Sequence, residues 1–544
     1  MKRVITVLMA LMLVFSIAAC DSLPFSSNNQ KKRSVRTKKD DDDDEDDDDP
    51  VETTTEETTT ETTDEPSVTE EPTPEPTKAA SESSYISCYI DQYWDYDYGS
   101  IDDQYYSTSI YITSLYIDDD NFPALKEQME TDNESRIISY LNDFAEFAEA
   151  AKTDVENGRE YANYYTGSEI TLYRADSKIL SYNYISSSYM GGAHGYTGYT
   201  GIIRDPATGK QLTLSDVCVD TDSLYSILNE YLADICEERG LFGDYADTID
   251  LYISGEYIWN FYITRTGLVL QFNQYEIAPY AAGPIFVTIP YEGNESIFDS
   301  FYWTDLPSDF VQEFNLDYTE YGDFYNIYYD FDNDGTDEFI ELHPSGEDYY
   351  YTNLSIALDE KGFDFEFYGY TLEPMLVVND GKTYIYVVST SDNDYVLIDV
   401  YEITSDGEVN FVDTVGGEPT VFVNPDDFQL DVRKDTLGTQ TATGYYMMDS
   451  KGLPKLTDDY FYYYCNDYHL TQDINATDFY GNAVTIPSGT TLYLIGSDDK
   501  TFVDMRDDYD NYYTIEYNGD NWPQMIDGKS VDDCFEEGDV MFAG

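Results

Sequence analysis

Apolar and polar residues alternate along much of this chain, and in a few stretches the apolar ones recur every three or four positions instead. "TSIYITSLYI" (108–117) has the period of two that a half-buried strand requires. Residues 123–151 have helical spacing, with Ile137, Leu141, Phe144 and Ala148 on one side. "SEITLYRADSKILSYNYIS" (168–186) reads as a hairpin turning at Ala175-Asp176-Ser177. A second helix is expected near 222–238, where Leu224, Ile227, Leu228, Tyr231, Leu232, Ile235 and Cys236 share a face, which puts Cys236 in the core. A last hairpin, "WNFYITRTGLVLQFNQYEI", turns at Thr266-Gly267 and leads to "PIFVTIP" (284–290). Strands with two helices between them predict an α+β module over 85–298.

From about residue 300 the chain becomes short strands separated by turn dipeptides. The turns are Asn333-Asp334-Gly335, Lys361-Gly362, Asp380-Gly381, Asp406-Gly407 and Lys451-Gly452. An all-β domain is expected over 299–462, a partial propeller or a sandwich. The turns are too unevenly spaced to mark a repeat. Residues 463–544 carry "AVTIPSGTTLYLIGSDDKTFVDM" and "YYTIEYNGD" and resemble a small bacterial SH3-like barrel.

The N-terminus follows a different rule. Lys2 and Arg3 precede an apolar run from Val4 to Ala19, short for a spanning helix and suited to a signal peptide over 1–20. It ends in Ile17-Ala18-Ala19-Cys20, which resembles a bacterial lipobox. That resemblance implies a lipid on the Cys20 thiol, cleavage just before it, and anchoring on the outer face of the cytoplasmic membrane. Residues 21–84 follow as a tether, a basic patch running into DDDDDEDDDD (40–49) and then a Thr/Glu/Pro stretch. With almost nothing apolar to offset ordering entropy it is expected to stay disordered, and it could reach roughly 200 Å at full extension.

Charge narrows the partners. The formal net charge is −81, from 109 acidic and 28 basic residues, which excludes a nucleic-acid partner because phosphate binding needs clustered Lys and Arg. Such a surface draws in calcium, basic peptides or basic proteins instead. Tyrosine, at 56 residues, suits outward-facing β surfaces and interfaces. Beyond Cys20 the cysteines are Cys88, Cys218, Cys236, Cys465 and Cys534, with no C-x-x-C pair to suggest zinc or thioredoxin-type chemistry. Cys218 and Cys236 are the pair to test for a disulfide, with buried free thiols as the alternative. "ATGKQL" lacks the first glycine of a P-loop, and no organic cofactor is expected.

"SSYMGGAHGYTG" (187–198) holds one of only three histidines. Gly191, Gly192 and Gly195 allow a tight, irregular link between strands. Catalysis by His194 would need a nucleophile or an orienting carboxylate at recognisable spacing, and neither G-x-S-x-G nor H-E-x-x-H occurs. His343 and His469 fall in other predicted domains, so no paired-histidine metal site is expected. A structural or surface-contact role is the reading of His194.

Two stretches carry a resemblance: "GGAHGYTGYTGIIRDPATGKQLTLSDV" and "LVLQFNQYEIAPYAAGPIFVTIPY", with "NFPALKEQM" (121–129) before them. Together they look like the extracytoplasmic module of RsiV-type anti-sigma factors, also found N-terminal to the catalytic domain of PdaC-type peptidoglycan deacetylases. The resemblance covers about 85–295. It implies an α+β fold and a cell-envelope binding role; in RsiV the module is a receptor for lysozyme. Only three residues precede the apolar run, so no cytoplasmic sigma-binding domain is expected, and no deacetylase domain follows the module. Matching positions include His194, Tyr275, Pro279 and Tyr280. For His194, Tyr275 and Tyr280 ligand contact is the implied role, with a packed strand end as the alternative for the tyrosines.

"YYDFDNDGTDEFIEL" (328–342) points to calcium. Asp330, Asp332 and Asp334 stand at alternate positions, Gly335 permits a sharp turn, and Thr336 offers a carbonyl. Hard oxygen donors at this spacing suit Ca2+ rather than zinc. Strand-like flanks argue against an EF-hand and resemble FG-GAP or VCBS loops, with Asp337 or Glu338 as the last ligand. The alternative is an acidic hairpin without metal.

The reading is a lipid-anchored surface protein that binds a basic protein such as lysozyme, or a cell-wall ligand, without catalysis. Two alternatives stand beside it: a glycan-modifying enzyme whose carboxylate pair the sequence does not reveal, and a structural or adhesive surface protein.

Overall fold

The computed structural model describes residues 84–542 apart from 102–103, 320–321, 347–349, 360, 392–394 and 465–466. Cys20, the predicted signal peptide, the tether up to residue 83 and Cys465 lie outside the described residues.

The module is built on β1 (Cys88–Ile101), β2 (Gln104–Ile117), β3 (Tyr161–Asp176), β4 (Ile179–Tyr189) and β5 (Tyr196–Arg204), side by side in that order. β2 and β3 pair in parallel. A parallel pair needs a crossover, and α1 (Pro123–Glu156) supplies it. Proline in its first turn suits the helix start, where no N–H partner is needed. The helix runs five residues past the expected end at 151, and that extra turn buries Val155. Leu125, Met129, Ala151 and Val155 press on one face of the sheet, against Ile170, Tyr182, Ala162 and Tyr164. Leu141, predicted for the apolar side, is exposed, because the contacts gather at the helix's two ends. Asn133 is buried mid-helix, and its amide donates to the Leu115 carbonyl at 2.9 Å.

A second layer contains α2 (Thr221–Arg239), α3 (Tyr245–Ile253) and a sheet of β6 (Phe261–Ile263), β7 (Gly267–Phe272) and β8 (Ile285–Pro290). The predicted second helix is α2, capped where the Asp220 carboxylate accepts from the Ser223 N–H at 3.1 Å. Leu224, Leu228 and Leu232 line its buried face against Leu268, Leu270 and Val287. Cys236 is only half-buried at the edge of this core, and Cys218 and Cys236 are both free thiols. β5 comes close to β6 at Gly201, whose N–H donates to the Asn260 side chain at 2.8 Å and where any Cβ would strike the Phe261 carbonyl.

Beyond residue 300 three sheets stack. One runs Asn315–Thr319, Gly322–Tyr329, Glu338–Ser345, Tyr351–Leu358, Lys361–Gly369. The next, in spatial order, is Val409–Gly416, Val396–Ile403, Lys382–Thr390, Glu373–Asn379, Phe310–Glu313. Its strand Lys382–Thr390 is buried on both faces: Ile385 and Val387 meet the first sheet, while Tyr384, Tyr386 and Val388 meet the third. That explains the unbroken apolar run there. The third sheet begins at Glu418–Val421 and continues through Gln440–Met448, Phe461–Tyr463 and Thr491–Ser497, so its ladder crosses residue 462. One predicted turn is misplaced: Lys361 opens a strand and pairs with Leu358, so the chain reverses just before it. The architecture is an α+β module followed by β sheets.

The module and the β sheets touch along β1. The Gln92 amide donates to Asp431 at 3.0 Å, and the Ile90 N–H donates to the Gln429 side chain at 3.1 Å. Tyr85 donates to the Asp309 carbonyl at 2.8 Å. Among the described residues no helix is long and apolar enough to cross a membrane.

Candidate functional site

The glycine-rich link between β4 and β5 turns as its sequence requires: Gly191 and Gly192 adopt φ of +87° and +109°. Gly195 serves closeness instead, since a Cβ there would meet the Ser188 carbonyl and the Tyr165 hydroxyl. The link delivers His194 onto Tyr280, with ring centroids 3.9 Å apart and planes 23° from parallel. Tyr275 lies 5.8 Å from the Tyr280 ring. Its backbone sits at φ 69°, a costly conformation for a bulky side chain, held by its N–H donating to the Ala278 carbonyl at 3.0 Å. The three residues that the resemblance singles out therefore meet, although they come from β-links far apart in sequence.

They line an open cleft of about 330 Å3 with Phe147, Met190 and Tyr196. His194 Nδ1 is 3.0 Å from the Gly195 carbonyl oxygen, so that nitrogen carries the proton, and the Tyr280 hydroxyl donates to the same carbonyl at 3.3 Å. No carboxylate, thiol or second imidazole is among the described lining residues. Chemically the cleft offers ring faces and hydroxyls.

The acidic loop joins the strands Gly322–Tyr329 and Glu338–Ser345. It brings Asp330, Asp332, Asp334 and Glu338 together, with one oxygen from each within 4.8 Å of the others. Asp330 accepts from the Asp334 and Gly335 N–H groups at 3.0 and 2.9 Å, and Asp332 accepts from Asp334 at 2.9 Å. Glu338 accepts from the Phe331 N–H at 3.1 Å, and Phe331 itself is buried, anchoring the loop in the core. Desolvation, then the neighbouring aspartates, pushes the Glu338 carboxyl up. Of the two candidates for the last ligand the fold places Glu338 in the cluster; the Asp337 carboxylate is not part of it. Thr336 follows directly, its N–H donating to Asp334 at 2.9 Å.

Sequence reading missed a pair of carboxylates. Glu169 lies on β3 on the sheet face opposite α1, level with Ile185 and Tyr199. Desolvation pushes its carboxyl up to about 7. Glu418, at the start of the third sheet, is also pushed up to about 7, by desolvation first and then by Asp431, Glu373 and Glu169. Nothing local in the alternation around either residue marks it.

Comparison with known proteins gives the following. Two solved structures are similar to part of the chain. A DUF3298 family member from Bacteroides fragilis is 21% identical and spans 40% of this chain and 95% of its own, with a TM-score of 0.31. A DUF3298 family protein from Pseudomonas aeruginosa is 16% identical and spans 40% and 97%, with a TM-score of 0.28. No curated protein matches the chain. The family model described as "Deacetylase PdaC" matches residues 101–197, which contain His194, and that described as "Protein of unknown function (DUF3298)" matches 256–292, which contain Tyr275 and Tyr280. The module resemblance read from the sequence is thus matched in both of its halves, and the aromatic cleft is formed where the two matched segments meet.

Proposed function

We propose that this protein is a surface lipoprotein of the bacterial envelope, anchored through Cys20, that grips a ligand at His194, Tyr275 and Tyr280 without transforming it. The observation that carries this reading is the cleft itself: two distant segments spend a strained backbone at Tyr275 to present stacked rings to solvent. The PdaC and DUF3298 matches support an envelope-associated module outside the cytoplasm. The net charge of −81, together with the RsiV resemblance, makes a basic protein such as lysozyme the ligand to test.

Titrating the full chain with lysozyme by calorimetry, at low and high salt, tests it. Saturable heat at both salts, weakened in Tyr280→Ala, is expected. Heat confined to low salt would mark diffuse charge attraction, because added salt screens exposed charges over about 10 Å or less; no heat at either salt removes the candidate. The raised carboxyl of Glu169, near enough to Glu418 for the two charges to interact, favours a second reading, a glycan-modifying enzyme. Sugar or acetate released from peptidoglycan by the same preparation would favour it over the first.

The loop at Asp330, Asp332, Asp334, Thr336 and Glu338 is proposed to hold Ca2+ and so to stiffen the hairpin it closes. Its four clustered carboxylates fit a hard cation. With the weak affinity of extracellular calcium modules, about 5 mM calcium is expected to stabilise the full chain by about 1–2 kcal/mol over an EDTA control. Asp332→Asn should remove most of that gain. Identical melting curves with calcium and with EDTA would refute the site.

A further inference from the structure

Two hairpin tips of the third sheet share one pattern, in which aspartate, tyrosine and asparagine stand at the first, third and fifth places. Asp478-Phe479-Tyr480-Gly481-Asn482 joins the strands Ile474–Asp478 and Ala483–Ile486. Asp507-Asp508-Tyr509-Asp510-Asn511 joins Phe502–Asp507 and Tyr512–Asn518. Each tip folds around its first aspartate. Asp478 accepts from the N–H groups of Tyr480 and Asn482 at 2.9 and 2.8 Å, and from the Asn482 amide at 3.0 Å. Asp507 accepts from the N–H groups of Tyr509 and Asn511 at 2.8 and 3.0 Å, and from the Asn511 amide at 2.9 Å. The fourth residue is left-handed in both, Gly481 at φ 81° and Asp510 at φ 60°. Strand pairing puts the tips at the same end of the sheet, because Asp478 pairs with Tyr513 and Thr477 with Thr514.

The tips hold rings out into water. Phe479, Tyr480 and Tyr509 are 79%, 85% and 75% exposed. Phe479 and Tyr480 meet at 85° rather than face to face, so ring faces remain open to solvent. The bonds to Asp478 and Asp507 fix the loops before any partner arrives, which lowers the ordering cost of binding. The same bonds turn the amide donors inward, so ring faces and carboxylates dominate the outer surface. Asp510 is paired with Arg506 at 2.7 Å. Asp508 accepts from the Tyr493 hydroxyl at 2.9 Å, which brings no charge to balance it. A second copy of this chain, or any other anionic partner, is repelled by the net charge of −81. A neutral ligand gains nothing from that charge. A cation gains from both features, and the planar guanidinium of arginine suits them best, because it stacks on aromatic faces and bonds carboxylates through its fork.

We propose that this end of the third sheet docks an arginine-bearing segment of a basic protein, with guanidinium groups on Phe479, Tyr480 and Tyr509 and one of them paired with Asp508. The proposal takes the cationic class of partner from the envelope-binding reading. It adds a surface of its own, which includes no residue of the His194 cleft.

Photo-crosslinking of the full chain with an octa-arginine peptide that carries a terminal benzophenone tests it, with adducts mapped by mass spectrometry. In about 1 M salt the screening length is about 3 Å, which suppresses attraction to the acidic block at 40–49. Saturable adducts on the two tips and the strand ends beside them are expected. Phe479→Ser, Tyr480→Ser and Tyr509→Ser combined removes the rings and no charge. The half-saturating peptide concentration should rise about tenfold in that variant. Tyr480→Ser alone, at the most exposed of the three rings, should raise it about threefold without burdening the fold. Tyr280→Ala should leave it unchanged. Three outcomes overturn the proposal: adducts confined to the acidic block or absent, equal half-saturation in the folded ring variants, or a dimer of the parent chain that the triple variant abolishes. The two readings fail separately, since the ring variants leave the His194 cleft intact and Tyr280→Ala leaves the tips intact.

Discussion

Arg174→Met is expected to destabilise the folded chain by about 3–5 kcal/mol, read as a lower urea midpoint, because it strands a buried carboxylate. Arg174 and Asp176 are both almost fully buried and 2.7 Å apart. Asp176 Oδ2 accepts from Arg174 Nε and Nη2, and Oδ1 accepts from the N–H groups of Lys178 and Ile179. Every lone pair is thus used, and the carboxylate closes the β3–β4 turn. Arg174 also donates to the Tyr302 carbonyl at 3.0 Å, and Lys178 donates to the Thr304 carbonyl, so the turn is tied to the segment that leads into the β sheets. Removing only the guanidinium leaves Asp176 with half its partners in a site closed to water. Arg174→Met combined with Asp176→Asn should recover part of the loss, since the stranded carboxylate is then gone. A midpoint unchanged in the single variant would show that the pair contributes nothing.

Features set by local chemistry were legible in the sequence. The hairpin over 168–186, which reverses at Ser177-Lys178 just past the predicted Ala175-Asp176-Ser177, and the helix near 222–238 needed only alternation, spacing and a cap. So did the aspartates at 330, 332 and 334, because alternate positions in a tight loop point to one centre. Sites that depend on packing were not. His194 meets Tyr280 only after the β4–β5 link and the β7–β8 link dock, so the family resemblance, not the spacing, pointed to that pair. Tyrosine as an outward β residue was a sound reading of composition that could not tell the open rings from buried ones such as Tyr384 and Tyr386.

Glu169 extends the same lesson to energetics. It occupies an ordinary alternating strand position, yet its carboxyl is pushed up to about 7 by burial, against an ordinary value of 4.5. Between those two values the folded state holds a proton that the unfolded state releases. Stability therefore falls as pH rises from 4.5 to about 7 and stays lower above that, where the folded chain carries a poorly solvated charge. The penalty amounts to about 2–3 kcal/mol after allowance for the half-buried position. Glu418 is shifted the same way but keeps an exposed surface through which water screens it, so Glu169 is the residue to change. Glu169→Gln is neutral at every pH. It should match the parent near pH 4.5 and exceed it at pH 8 by about that amount, in urea midpoints measured across the range. The difference between the two curves isolates this residue from the other carboxylates, which titrate alike in both proteins. Parallel curves from pH 4.5 to 8 would mean that water reaches the carboxylate freely, and the reason for treating Glu169 as anything but a surface acid would go with them.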